Sequence, residues 1–253
     1  MEVHLKIAGQ AMLAHLDQPL DISIPLRFDG VGPNCFYAPL AESSPVVAGD
    51  FVGSTEQGGL LNFKNVKINP HGNGTHTECV GHIAREPYYL SDCLQQFHFS
   101  ARLITIYPRK QENGDRLIER AQLAEVLRPG EVQAGVLRTM PNDTQKQTRN
   151  YSGTNPPYLA AAAAQLLVDY GVEHLLLDLP SVDREQDGGA LSAHRAFWQY
   201  PYEVREQATI TEMIYVADSI KDGLYLLQHQ ITSMVLDASP SKPVLYCLES
   251  SPT

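Results

Sequence analysis

The amino-acid sequence predicts a single-domain α/β protein. Residues 158–170 are rich in alanine, which costs least in a helix, and Gly171 follows at a position where helices commonly end. The apolar run 172–179 is then typical of a buried strand, and a helix followed by glycine and a strand forms an α/β unit. The 253 residues contain no repeat, low-complexity tract or second linker, so we expect one domain over residues 1–253.

The other regular elements are predicted to be strands, with one further helix. Residues 120–127 have helical spacing and are followed by Pro129-Gly130, a common helix stop. Strands are predicted where apolar residues alternate or β-branched residues cluster, over residues 3–7, 21–26, 60–68, 101–107, 132–140 and 210–216. Residues 88–96 are helical or irregular, and the polar stretch 142–157 is a loop or a lid.

A long irregular connection is predicted for residues 30–59, which are rich in glycine, proline, serine and asparagine. Long ordered loops are often functional. Phe36 and Tyr37 within it either line a substrate pocket or anchor the loop. Trp198 belongs to a second aromatic segment, which either shapes the substrate pocket or forms an interface.

Composition excludes several classes of partner. Nineteen Lys and Arg against 29 Asp and Glu give a net charge of −10, which argues against nucleic acid and anionic membranes. No apolar run is long enough to span a bilayer, and the first residues lack a signal-peptide pattern. Four cysteines without a CxxC pair indicate reduced thiols in a cytoplasmic protein. We therefore expect a small-molecule substrate.

Residues 69–82 concentrate the groups that carry chemistry, namely His71, His76, Glu78 and His82. Imidazole and carboxylate together suit zinc or manganese. If residues 76–78 are extended, His76 and Glu78 point to the same side and can hold one ion together. The alternative is a glycine-rich turn with surface histidines. We predict one or two divalent ions, Zn or Mn.

The segment His-Gly-Asn-Gly-Thr-His-Thr-Glu-Cys-Val-Gly-His at residues 71–82 resembles the signature of the cyclase family of metal-dependent hydrolases. That family includes bacterial kynurenine formamidases and isatin hydrolases, and its pattern reads His-x-Gly-Thr-His-x-Asp-x-Pro-x-His. Gly74, Thr75, His76 and His82 match the pattern, Glu78 replaces its aspartate and Val80 replaces its proline.

The first histidine of the pattern falls on Gly72, one residue after His71. We predict a one-residue bulge, allowed by the glycines at 72 and 74, that turns His71 toward the ion. The alternative is that His71 points elsewhere and the ion has one protein ligand fewer.

A second segment strengthens the resemblance. Residues 177–183, Leu-Asp-Leu-Pro-Ser-Val-Asp, followed by His194, are similar to the family's Asp-x-Pro-Ser-x-Asp…His. The resemblance implies that His194 joins the metal cluster and that a glutamate of the next strand completes it. Glu212 is the candidate and Glu206 its competitor. A charge within the apolar run around Glu212 is costly unless it is paired or metal-bound.

The resemblance implies a mixed β-sheet or barrel-like core with flanking helices, of the swivelling β/β/α type. It also implies a hydrolase that cleaves a formamide or a cyclic amide with a metal-activated water, with His82 as proton shuttle. The implied ligands are His71, His76, Glu78, His194 and Glu212. A metal-dependent cyclase or lyase and a non-catalytic family member are the alternatives. We also expect a homodimer or a homotetramer.

Overall fold

The computed structural model describes residues 1–7 and 9–250. The strands are β1 Glu2–Ile7, β2 Gln10–His15, β3 Leu20–Asp21, β4 Glu42–Pro45, β5 Val47–Ala48, β6 Phe51–Val52, β7 Lys64–Lys67, β8 His76–Glu78, β9 His98–Ile106, β10 Arg109–Lys110, β11 Arg116–Ile118, β12 Ala134–Thr139, β13 Tyr158–Leu159, β14 His174–Leu177, β15 Thr209–Glu212, β16 Gly223–Ile231 and β17 Ala238–Ser250. The α-helices are α1 Leu90–Cys93, α2 Arg120–Val126, α3 Ala161–Asp169 and α4 Ser192–Trp198.

Seven strands close into a mixed barrel. Their order is β17-β16-β9-β12-β14-β15-β8, and β8 pairs with β17 to complete the circle. Strands β9, β12, β14 and β15 are parallel, whereas β8, β16 and β17 pair antiparallel to their neighbours. The predicted mixed, barrel-like α/β fold is confirmed.

Alternating side chains of these strands form two cores. In β12, Ala134 and Val136 belong to the cluster enclosed by the barrel, whereas Leu137 belongs to the cluster under helices α2, α3 and α4. Strand β14 alternates in the same way, with Leu176 inside and Leu175 and Leu177 outside. Side chains that alternate between two buried clusters are typical of a strand that is covered on both faces.

Several predicted elements differ from the structure. Of the predicted strand 21–26, only Asp21 is in a strand, as part of β3 Leu20–Asp21. Ile22 and Ile24 are nevertheless buried. The predicted strand 60–68 is reduced to β7, which is exposed and pairs only with β4 in a separate two-stranded sheet. The predicted helix 158–170 begins at Ala161, because Tyr158 and Leu159 pair with β11 as β13. Helix α4 and strands β2, β10, β11, β16 and β17 were not predicted, and the predicted irregular connection 30–59 contains the short strands β4, β5 and β6.

None of the helices in the described part of the chain has the length and apolar character needed to cross a membrane.

Candidate metal centre

Strand β8 carries the two central residues of the cluster. His76 and Glu78 point to one side, and Thr77 between them points into the barrel, where its hydroxyl lies 2.8 Å from Thr211 Oγ1 and from His229 Nε2. All three residues of β8 are buried. The predicted shared face of His76 and Glu78 is therefore present.

The loop before β8 is anchored at Thr75. Its hydroxyl donates to the Met213 carbonyl at 2.5 Å and accepts from the Ile24 amide at 2.8 Å. The backbone of Gly74 has a φ of 122°, a conformation that L side chains rarely adopt. These contacts hold His76, whose Nδ1 lies 3.0 Å from the Gly74 carbonyl and whose Nε2 faces the cluster.

Glu78 is the centre of the cluster and is fully buried. Its Oε2 lies 3.0 Å from His71 Nδ1 and 3.7 Å from His82 Nδ1, and its Oε1 lies 3.2 Å from His194 Nε2. One carboxylate therefore contacts three imidazoles from two distant segments of the chain. The structure places His71 in the cluster, next to Glu78.

Helix α4 supplies His194. Asp183 receives hydrogen bonds from the amides of Ala193 and His194 in the first turn of this helix. The same carboxylate lies 2.7 Å from His194 Nδ1 and leaves Nε2 facing Glu78. The fixed helix start thus sets both the position and the orientation of the imidazole.

Glu212 ends strand β15 and is the register partner of His76 on β8. Its Oε1 accepts a hydrogen bond from the Val182 amide at 2.9 Å, and its Oε2 lies 3.5 Å from His76 Nε2. Glu206, the competing candidate, is exposed. The structure places Glu212 in the cluster.

His82 lies at the rim of the cluster, at the end of a short 3-10 helix, Val80–His82. Its Nδ1 is 3.7 Å from both Glu78 Oε2 and Asp237 Oδ2, and its side chain is 31% exposed. His76 and His194 are 1% and 3% exposed. Of these three histidines, His82 is therefore the one that solvent and small molecules reach.

Burial disfavours the charged form of His71, but its contacts with Asp237 and Glu78 outweigh this effect and raise its pKa to about 10. Burial likewise opposes protonation of His194, and its contacts with Asp183 and Glu78 raise its pKa to about 10. Without an ion, both side chains are therefore in the charged imidazolium form at neutral pH. A metal must displace these protons when it binds.

The carboxylates show the opposite shift. Burial raises the pKa of Glu78, but His82, His194 and His71 outweigh burial and hold that pKa well below its usual value. The contacts with His71 and His82 lower the pKa of Asp237. Both carboxylates are ionised at neutral pH and available to a cation.

The donor set fits a divalent ion. His76 Nε2 and Glu78 Oε2 are buried and have no well-directed hydrogen bond from any described residue. Buried polar atoms without partners are costly, and a cation shared by these atoms satisfies both. Ligands of one zinc ion at about 2.1 Å lie about 3–3.5 Å apart. The pairs His71–Glu78, His194–Glu78 and His76–Glu212 are separated by 3.0, 3.2 and 3.5 Å.

The residues predicted to bind substrate occupy three different positions. Phe36 lines a cavity of about 150 Å³ together with His71, His82, His194 and Glu212. Tyr37 is 72% exposed and is not among the residues that line this cavity. Trp198 does not line it either. It is fully buried, donates its indole N–H to the Ala208 carbonyl and stacks on His194, so its position is that of a packing residue.

Sequence reasoning missed Asp237, and it assigned Asp183 no role in the site. Asp183 belongs to the motif at 177–183, so the sequence already indicated that it lies near the site. Asp237 lies before β17 in the segment Val-Leu-Asp-Ala-Ser-Pro, which has no metal-binding spacing. Its Oδ2 is nevertheless 2.9 Å from His71 Nε2. Only the register between β8 and β17 makes this residue a neighbour of the cluster.

Comparisons with known proteins agree with this fold. The profile of a family described as "Putative cyclase" matches residues 20–184. A predicted metal-dependent hydrolase from Bacillus stearothermophilus is 14% identical, with a TM-score of 0.62 over 90% of this chain and 98% of its own. Isatin hydrolase A from Labrenzia aggregata is 13% identical, with a TM-score of 0.64 over 92% and 94%. Isatin hydrolase A from Ralstonia solanacearum is 12% identical, with a TM-score of 0.63 over 90% and 91%.

At these identities the solved structures are evidence for the fold alone. No curated protein sequence matches the chain significantly. The family profile, in contrast, covers well over half of the chain and includes both the loop of residues 71–82 and the segment 177–183. This chain belongs to the cyclase family.

Proposed function

We propose that the protein is a metal-dependent hydrolase that cleaves the C–N bond of a formamide or a cyclic amide. Its metal ligands are His71, His76, Glu78, His194 and Glu212, and the ion is zinc or manganese. The observation that carries the proposal is the buried Glu78 carboxylate, which has imidazoles against both of its oxygens. Family membership supports it independently.

When bound, a divalent ion supplies a Lewis acid for the substrate carbonyl and hydroxide from water near neutral pH. Glu78 presents one oxygen to the His71 side and the other to the His194 side, so the same carboxylate can serve one ion or two. Asp183 holds His194 with Nε2 toward the cluster. These residues orient the ligands before any substrate arrives.

His82 is the acid–base group of the proposal. It contacts the cluster at 3.7 Å, farther than His71 or His194, and it is partly exposed. A histidine in this position can take a proton from the attacking water and return it to the leaving nitrogen. Glu78 Oε2 and Asp237 Oδ2 each lie 3.7 Å from its Nδ1 and orient the ring at the edge of the cluster.

The cavity favours small substrates. Its volume is about 150 Å³, and Phe36 is its aromatic wall while acidic side chains and Arg184 make up much of the rest. An aromatic wall beside polar groups suits a planar amide attached to a ring. This combination supports aryl formamides and fused-ring cyclic amides as the substrate class.

The proposal is tested with formanilide and isatin as substrates. Protein purified without chelator should hydrolyse at least one of them, and activity should disappear with EDTA and return with Zn²⁺ or Mn²⁺. His82→Ala is the matched variant, since it should retain metal and lose turnover. Binding of metal without hydrolysis of either substrate would contradict the proposed amide specificity.

A further inference from the structure

We propose that Asp237 is a positioning residue of the metal centre. Its carboxylate holds His71 so that Nδ1 faces Glu78, and this makes His71 the ligand that position 72 does not supply. The inference rests on the proposed function, because it assumes that His71 binds the ion.

The contacts of His71 and His194 show the same arrangement on the two sides of Glu78. His71 directs Nδ1 to Glu78 Oε2 at 3.0 Å and Nε2 to Asp237 Oδ2 at 2.9 Å. His194 directs Nε2 to Glu78 Oε1 at 3.2 Å and Nδ1 to Asp183 Oδ2 at 2.7 Å. Each imidazole thus lies between the central carboxylate and an outer carboxylate.

An outer carboxylate has a defined effect on a metal-binding histidine. It accepts the N–H of one ring nitrogen, which fixes the tautomer and leaves the lone pair of the other nitrogen for the ion. For His71 this assigns the proton to Nε2 and the metal to Nδ1. Such carboxylates also make the imidazole a stronger ligand.

The closure of the barrel fixes Asp237 in this place. Ala238 is the register partner of Glu78, and the Asp237 carbonyl accepts a hydrogen bond from the Cys79 amide at 3.0 Å. On the other side, the Leu90 amide donates to the Leu236 carbonyl at 2.8 Å. The Asp237 backbone is therefore held between β8 and helix α1.

Gly81 lies against both Asp237 and Tyr88. A Cβ at position 81 would lie 3.0 Å from Asp237 Cβ and 2.2 Å from the Tyr88 carbonyl oxygen. A side chain at position 81 would therefore collide with the Tyr88 backbone and press on the Asp237 side chain.

Position 72 has no space for a ligand. A Cβ on Gly72 would lie 2.2 Å from Ala38 Cβ and 3.5 Å from Asn69 Oδ1. The family's usual first histidine is thus sterically excluded here, and His71 with its outer carboxylate takes over its task.

The test measures Mn²⁺ affinity by calorimetry on protein freed of metal by chelator. Asp237→Ala should bind Mn²⁺ about 10–100-fold more weakly than wild type, the usual effect of removing such a partner. Asp237→Asn retains an acceptor oxygen and should recover part of the loss. Asp169→Asn is the charge-matched control, since Asp169 is on α3 and contacts Gln165 and Arg120, and it should bind as wild type does.

A double-mutant cycle separates positioning from direct ligation. In a His71→Ala background, Asp237→Ala should cause no further loss of affinity, because the residue acts through His71. ¹⁵N NMR of the protein loaded with diamagnetic Zn²⁺ should show a single His71 tautomer with the proton on Nε2 in wild type, and a mixed population in Asp237→Ala.

Three results would overturn the inference: additive losses in the cycle, wild-type affinity in Asp237→Ala, or an unchanged His71 tautomer in that variant. If Asp237→Ala does not fold, Asp237→Asn carries the same measurements. Failure of wild-type protein to bind Mn²⁺ or Zn²⁺ would instead reject the proposed function itself.

Discussion

Replacing Glu78 with glutamine removes one negative charge from the centre of the cluster and keeps the shape of the side chain. The carboxylate is fully buried and contacts His71 and His194, whose pKa values it helps to raise to about 10. In metal-free protein at pH 7, the variant therefore leaves the partly exposed His71 and the buried His194 as imidazolium groups with one carboxylate partner each, Asp237 and Asp183.

Removing one partner of a buried ion pair costs about 3–5 kcal/mol. We take the lower end, about 3 kcal/mol, because the outer carboxylates remain. For a domain of this size, about 1 kcal/mol lowers Tm by roughly 2–4 °C, so Glu78→Gln should melt about 6–12 °C below wild type. Calorimetry in EDTA at pH 7 measures the difference.

Glu131→Gln is the matched control. It removes a partly exposed ion pair with Arg102, whose atoms are 2.6 Å apart, and should cost about 1 kcal/mol or less.

The pH dependence of the melting temperature gives a second check. Because the folded pKa values of His71 and His194 lie above 6.5, the stability from their pairing is complete below about pH 6.5 and is lost as the pH rises toward about 10. The gap between wild type and Glu78→Gln should therefore shrink from pH 7 to 10. Equal melting of Glu78→Gln and Glu131→Gln would refute the reasoning.

Two further predictions concern other histidines. His71→Ala and His76→Ala should lose metal affinity, whereas His82→Ala should keep the metal and lose about 10²–10⁴-fold in turnover; equal metal loss in all three would contradict the division of roles. Burial lowers the pKa of His174 to about 3 and of His229 to about 4. Between about pH 6.5 and 4 the unfolded chain binds these protons and the folded chain does not, so stability falls as the pH falls. His174→Gln should reduce the loss of unfolding free energy between pH 6.5 and pH 4, measured by urea unfolding, by about a kcal/mol or more. The same loss in the variant as in wild type would contradict this prediction.

The local part of the site could be predicted from the sequence. The period of two places His76 and Glu78 on one side of β8, and this follows from strand geometry alone. The cost of a buried charge favoured Glu212 over Glu206, and the structure has Glu212 buried and Glu206 exposed. Both arguments concern neighbouring residues in the chain or the burial of one side chain.

The non-local part could not be predicted in this way. Asp237 meets His71 because β17 pairs with β8 across about 160 residues of chain, and no periodicity reports such a pairing. Residues 60–68 show a different error, in which a predicted contact with the site is absent. Their alternation predicted a strand that leads into the metal loop, but β7 pairs only with β4, and its four residues are exposed. Alternation indicates an extended chain and does not identify the sheet to which it belongs.

Trp198 illustrates a third limit. An aromatic residue four positions after His194 lies on the same side of helix α4, so its closeness to the site follows from helix geometry. Whether it faces substrate or the core depends on what packs against it. Here Trp198 is fully buried and its ring stacks on the imidazole of His194.

The central claim is that His71, His76, Glu78, His194 and Glu212 hold a divalent ion. Elemental analysis of protein purified without chelator, together with its Tm before and after EDTA, tests this most directly. The account predicts at least one zinc or manganese ion per chain and a lower Tm in EDTA, because the ion binds only the folded chain. Less than a trace of metal, with a Tm that EDTA and added Zn²⁺ or Mn²⁺ leave unchanged, would contradict it.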